Sequence, residues 1–98
     1  MEQELRFIWS RESSLDLKGI YDFYSPKSKT AAASIVIDIQ EETESIKFPF
    51  QAQVDEFNSQ YRRVFVRKHF RVIYGVDGEI INIIRVFDTR QEPSKMKS

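Results

Sequence analysis

The sequence predicts an α+β domain in which a helical hairpin packs on a mainly antiparallel four-stranded sheet, in the order β-α-α-β-β-β. Three observations carry that prediction. Apolar residues recur at helical spacing on both sides of Ser25-Pro26. Runs rich in β-branched and aromatic residues fill 61–66, 70–76 and 79–88. Between the last two runs stands Asp77-Gly78, a pair suited to a tight hairpin of type I′, which needs positive φ at both central residues. With 98 residues, 41% of them hydrophobic, the chain suffices for one core and one domain.

Each element has its own signature. Leu5, Phe7 and Trp9 alternate with Arg6, Ile8 and Ser10, which predicts a short first strand with its large side chains toward the core. Ser10 then caps a helix starting at Arg11, with Glu12 in the first turn where the helix dipole favours it. Leu17, Ile20, Tyr21 and Tyr24 form its apolar stripe, and Asp16, Lys18 and Asp22 lie off it. Ser25 as N-cap and Pro26 at the first helical position start a second helix running to about Lys47. Its stripe is Ala32, Val36, Ile39, Thr43 and Ile46, broadened by Ile35; Glu41, Glu42 and Glu44 face water. Phe48-Pro49-Phe50 ends it. Residues 50–60 follow neither period, and their apolar members Phe50, Val54 and Phe57 are expected to pin an irregular connection to the body. Three strands complete the domain, with a turn at Arg67–His69 and the first strand beside the last. The domain is expected to span 1–90, with 91–98 (QEPSKMKS) as a tail.

Composition excludes several function classes. The chain has no cysteine and one histidine, so thiolate chemistry, disulfides and multi-histidine metal sites are excluded. The three glycines, Gly19, Gly75 and Gly78, make no phosphate loop, and no G-x-S-x-G elbow occurs. No cofactor is expected. No apolar run reaches the roughly 18 residues of a membrane span, and MEQELRFIWS lacks the features of a signal peptide. A cytoplasmic protein without membrane association is the expectation.

The formal net charge is zero but unevenly placed. Residues 1–60 carry 6 Lys/Arg against 11 Asp/Glu, and residues 61–98 carry 9 against 4. Between Phe57 and Val76 no acid occurs, while Arg62, Arg63, Arg67, Lys68 and Arg71 do. Such a split favours a local anion-facing surface; the alternative is basic strand edges that discourage aggregation. Strand alternation puts Phe70, Val72 and Tyr74 on one face, toward the helices, and His69, Arg71 and Ile73 on the other, which would leave His69 and Arg71 open to solvent. Arg85 falls at about the height of Arg71, on a face that register decides. Arginines so placed can bind a phosphodiester bidentately, stabilise a phosphorane, and leave His69 to move a proton. Equally, they can pair with the acids of a protein partner.

Two stretches, FIWSRESSLDLKGIYDFYSPKS and FRVIYGVDGEIINIIRVFDTRQEP, in this order around a helix pair, resemble the RelE/ParE superfamily of bacterial toxins from type II toxin–antitoxin modules, once called plasmid stabilisation proteins. The resemblance spans about residues 4–93 and is weakest at 50–60. It implies a small growth-inhibiting toxin neutralised by a cognate antitoxin. RelE-like members cleave mRNA on the ribosome, whereas ParE-like members block DNA gyrase and are not nucleases. Arg71 matches the arginine that RelE-like enzymes hold near the scissile phosphate, and Arg90 lies near their last arginine. Yet no tyrosine or histidine follows Val76, residues 50–60 hold two acids and no base, and the pI is about 6.6. The resemblance therefore implies a ParE-like inhibitor, with Arg62, Arg63, Arg67, Lys68, Arg71, Arg85 and Arg90 binding target or antitoxin. A ribosome-dependent endoribonuclease using Arg71, Arg90 and His69 is the alternative, and a degenerate toxin serving only as a complex subunit is a third reading.

Overall fold

The computed structural model describes residues 4–91. The elements, in order, are β1 (Arg6–Trp9), α1 (Arg11–Tyr24), α2 (Lys29–Glu44), β2 (Gln53–Val54), β3 (Arg62–Val66), β4 (Phe70–Asp77) and β5 (Ile80–Asp88). The fold class is the one expected, a helix pair on one sheet. The sheet has five strands rather than four, because Gln53–Val54 adds a two-residue edge strand in the segment that shows no period. Its order is β1-β5-β4-β3-β2. β1 lies beside the last strand, as expected, and pairs with it in parallel; all other pairings are antiparallel.

Ser10 joins strand to helix. Its hydroxyl accepts the Ser13 N–H at 3.0 Å as the N-cap of α1 and donates to the Ile84 carbonyl of β5 at 2.9 Å. The helix boundary at Ser25-Pro26 is a correction. Ser25 does not open the second helix; it closes the first, its N–H returning to the Tyr21 carbonyl at 2.9 Å. Pro26 thus falls just beyond a C-cap, where a residue unable to continue the helix is common. The cap of α2 is Ser28, whose hydroxyl accepts the Ala31 N–H at 3.1 Å. α2 also ends at Glu44 rather than about Lys47, since the N–H groups of Ser45 and Ile46 turn back to Glu42 and Thr43 in a tightened last turn.

The core lies between the helices and one sheet face. Leu17 and Ile20 of α1 and Ile35 and Ile39 of α2 pack on Phe70, Val72, Tyr74, Ile81, Ile83 and Val86. Leu5, Phe7 and Trp9 close one side of it. Phe70, Val72 and Tyr74 therefore face the helices as alternation predicts. In β5 a bulge breaks the alternation: Ile73 pairs with Arg85 and Tyr74 with Ile83, so Ile84 has no partner. That extra residue lets Ile83 and Val86 both face the helices, which explains why IINIIRVF reads as apolar on every position.

Both β-hairpin turns differ from expectation in detail. The β4–β5 loop is Gly78-Glu79, between the paired Asp77 and Ile80, and only Gly78 has positive φ, at 61°. Asp77 belongs to the strand, so the turn is a glycine-first two-residue loop and not the type I′ turn expected at Asp77-Gly78. Two consecutive positive φ values occur instead at Arg67 (51°) and Lys68 (66°), in the β3–β4 loop.

Residues 48–61 wrap round the β3 edge from the helix side to the far face. Their aromatic side chains do not pin them: Phe48, Phe50, Val54 and Phe57 are all exposed. Polar contacts hold the segment instead. The Tyr74 hydroxyl donates to the Pro49 carbonyl at 2.6 Å, and Arg62 donates to the carbonyls of Phe50 and Ala52 at 2.9 and 2.7 Å. The expected tail, 91–98, lies outside the described residues except for Gln91.

Candidate functional site

The predicted site residues do not gather at one point. Arg71 departs furthest from expectation. It lies on the sheet face away from the helices, but that face is not open there, and the residue is 1% exposed. Its guanidinium forms an ion pair with the buried Asp55 and lies between the rings of Phe57 and Phe87, at 4.7 and 5.9 Å from their centroids. Nε and Nη1 have no hydrogen-bond partner. Asp55 is the residue that sequence reading missed. Its only signal is an acid flanked by apolar residues in QAQVDEF, too weak to separate from any loop acid.

Arg85 shares that face, since it pairs with Ile73, and it too is engaged. Asp16 of α1 takes Nε at 2.8 Å and Nη2 at 3.1 Å from Arg85, and the Val86 N–H at 2.8 Å. β1 pairs with β5 only as far as Ile83, so Ser10 and Asp16 satisfy the edge groups of Ile84 and Val86 where β1 stops. The hydrogen bond to Asp16 holds the Arg85 pKa above its ordinary value, against the opposing effect of burial.

Arg62 and Arg63 stand at the start of β3, bound to the 50–53 segment. Arg63 donates to the Gln53 side chain at 2.8 Å, and the two guanidiniums lie over Phe50 and Phe65 respectively. The other basic residues meet at the opposite end of β3. Arg67 pairs with Asp38 of α2, Lys68 is exposed at the loop, and the carbonyl of half-exposed His69 accepts both the N–H and the hydroxyl of Thr89. This pairing places Arg90 next to the β3–β4 loop, its guanidinium 5.8 Å from the centroids of Phe70 and Tyr24. Arg67, Lys68, His69 and Arg90 thus form one basic end of the sheet.

A polar cluster holds that end. Tyr24 donates its hydroxyl proton to Asp88 and accepts from Arg90 Nη2 at 2.7 Å; Asp88 also accepts the Arg90 N–H at 3.0 Å and the Gln91 side chain at 3.0 Å. Burial pushes the Asp88 pKa up, but these hydrogen bonds and the Arg90 charge outweigh it and hold the carboxyl below its ordinary value. Burial, reinforced by the neighbouring Asp88, pushes the Tyr24 phenol up. Tyr24, read from its spacing as a core residue, therefore combines a packed ring with a working hydroxyl. Among the described residues no group of three or more His, Asp or Glu is arranged to hold a metal ion, and no helix is long and apolar enough to cross a membrane.

Chemically, the exposed basic end suits acidic groups on a macromolecule. It does not bring His69 and Arg71 to a common reacting atom on the surface, because Arg71 is covered.

Comparison with known proteins agrees with this architecture. None of the curated proteins matches the chain. A solved structure of the chromosomal ParDE toxin–antitoxin system from P. aeruginosa is similar, with a TM-score of 0.76 and 23% identity over 89% of this chain and 98% of that one. The solution structure of a conserved hypothetical protein from Helicobacter pylori is similar at a TM-score of 0.54 and 12% identity, covering 84% of this chain and 91% of that one. The family model for the ParE toxin of the type II toxin–antitoxin system parDE matches residues 7–93, nearly the whole chain. The chain belongs to the ParE toxin family of type II toxin–antitoxin systems.

Proposed function

We propose that this toxin inhibits growth by binding DNA gyrase in the cytoplasm, without cutting RNA, and that a cognate antitoxin neutralises it by covering part of the same surface. The observation that carries the reading is the burial of Arg71. A nuclease of this architecture needs that guanidinium against a phosphate, and here Asp55 takes it and Phe57 covers it. What remains outward is a basic end built from Arg67, Lys68 and Arg90, suited to charge-assisted contacts with a protein. Arg62, Arg63 and Arg85 serve the fold first on this reading, since each is bound within the chain.

The test pairs two assays on purified protein. In gyrase supercoiling, the wild type inhibits and the Arg67→Ala/Lys68→Ala/Arg90→Ala variant loses at least tenfold in potency while keeping its helical spectrum. On translating ribosomes neither protein cleaves mRNA. Cleavage by the wild type that Arg90→Ala or His69→Ala abolishes would replace this reading with the endoribonuclease.

A further inference from the structure

Arg71 is buried at a cost that its surroundings only partly offset. A guanidinium removed from water should use most of its five donors, yet this one bonds only to Asp55 and leaves Nε and Nη1 unpaired. Arg63 is the diagonal neighbour of Arg71 on the same sheet face, because Arg63 pairs with Ile73, two residues along β4 from Arg71. Its Nε is likewise buried without a partner. Both arginines take their ligand from one short segment: Gln53 for Arg63 and Asp55 for Arg71. The segment thus places an amide oxygen and a carboxylate on two adjacent guanidiniums whose remaining donors are unfilled.

The same segment is weakly attached elsewhere. Its base, Pro49 to Ala52, is tied by Tyr74 and Arg62 on the helix side. Beyond that, β2 has two residues, and 55–61 is a compact loop closed on itself by Asp55 N–H to Tyr61 O at 2.8 Å and Tyr61 N–H to Asn58 O at 3.0 Å. Val54 and Phe57 are already more than two-fifths exposed, so lifting the loop forfeits little apolar burial. Lifted, it would uncover Arg63 and Arg71 together.

We propose that residues 53–61 form a displaceable strap, latched by Asp55, over a latent oxyanion site made by Arg71 and Arg63. The Asp55 carboxylate is the internal occupant of that site, and a carboxylate or phosphate group competes with it. The inference goes beyond the inhibitor reading and does not depend on it. Failure of gyrase inhibition would leave the strap untouched.

The experiment uses the full chain and its Asp55→Asn variant. Hydrogen exchange on the wild type reads the latch directly: the amides of Asp55 and Phe57 exchange at least tenfold faster than those of Val72 and Ile83, by local opening. The variant speeds the strap amides by a further tenfold and leaves the core pattern in place. Titrated with inorganic phosphate and, separately, acetate, the variant shows saturable shifts of the Arg71 and Arg63 side-chain N–H signals, at least tenfold tighter than the wild type. Arg71→Met in the Asp55→Asn background abolishes them. Tighter phosphate than acetate assigns a phosphate ligand, and the reverse assigns a carboxylate from a protein. Equal binding by variant and wild type overturns the site. Should the variant not fold, wild-type exchange still decides, because strap amides that open only with Val72 and Ile83 overturn the latch.

Discussion

Replacing Asp16 by alanine removes three hydrogen bonds at once, two from Arg85 and one from the Val86 N–H, at 2.8 to 3.1 Å. Net hydrogen bonds to charged groups contribute about 1.5–3 kcal/mol each, but the three share one carboxylate and do not add fully. The Arg85 side chain is 32% exposed and recovers some water when released, whereas the Val86 N–H at the end of the β1 pairing does not find another acceptor in the chain. Together these give a loss of about 2–4 kcal/mol. For a domain of this size each kcal/mol lowers Tm by roughly 4–8 °C, so a fall on the order of 10–25 °C is expected. Urea unfolding followed by circular dichroism, with an unchanged m value, measures it. Asp16→Asn keeps an acceptor for Val86 and loses the charge, so its cost should be about half. Two results refute the reasoning: Asp16→Ala within about 0.5 kcal/mol of wild type, the range of an ordinary surface change, or Asp16→Asn costing as much as Asp16→Ala.

Two further predictions concern the helix caps and the Tyr24–Asp88 pair. Ser10→Ala should cost about 1–2 kcal/mol and Ser28→Ala roughly 0.5–1, because Ser10 both caps α1 and donates to Ile84 while Ser28 only caps α2; paired thermal melts check the order. Asp88 has a lowered folded pKa, so its contribution is present above the ordinary carboxylate value and disappears as pH falls through the lowered one. Tyr24 has a raised folded pKa, so its contribution is present below the ordinary phenol value and disappears as pH rises through the raised one. The stability difference between wild type and Tyr24→Phe should therefore be flat at neutral pH and shrink at both extremes. A difference that grows in acid or alkali would contradict the assigned hydrogen bonds.

The parts of the fold that were legible are those where one residue type has one local use. Leu17, Ile20 and Ile39 announce helix faces by spacing, and Phe70, Val72 and Tyr74 announce a strand face by alternation; all six pack in the core. Boundaries were harder. Ser25-Pro26 satisfies the rule for a helix start, but a C-cap followed by proline reads the same in sequence, and only the next serine, Ser28, resolved it. The bulge at Ile84 left no local mark, since an extra isoleucine among isoleucines changes no pattern. The site was less legible still. The basic residues were all visible, but Asp16, Asp55 and Asp88, which hold three of them, lie 69, 16 and 2 positions away from their partners. Long-range ion pairs have no periodicity to read.

What the sequence determined alone was the α+β order, the single core, the charge asymmetry and the absence of cysteine chemistry, because each follows from composition or from spacing within a few residues. The tertiary structure decided which arginines are available. Burial is a property of what lies across a face, so a guanidinium that alternation places outward, as at Arg71, becomes interior once residues 53–61 fold over it and supply a carboxylate. The outward basic end at Arg67, Lys68 and Arg90 arises the same way, when β5 returns to lie beside β4 and carries Thr89 against His69.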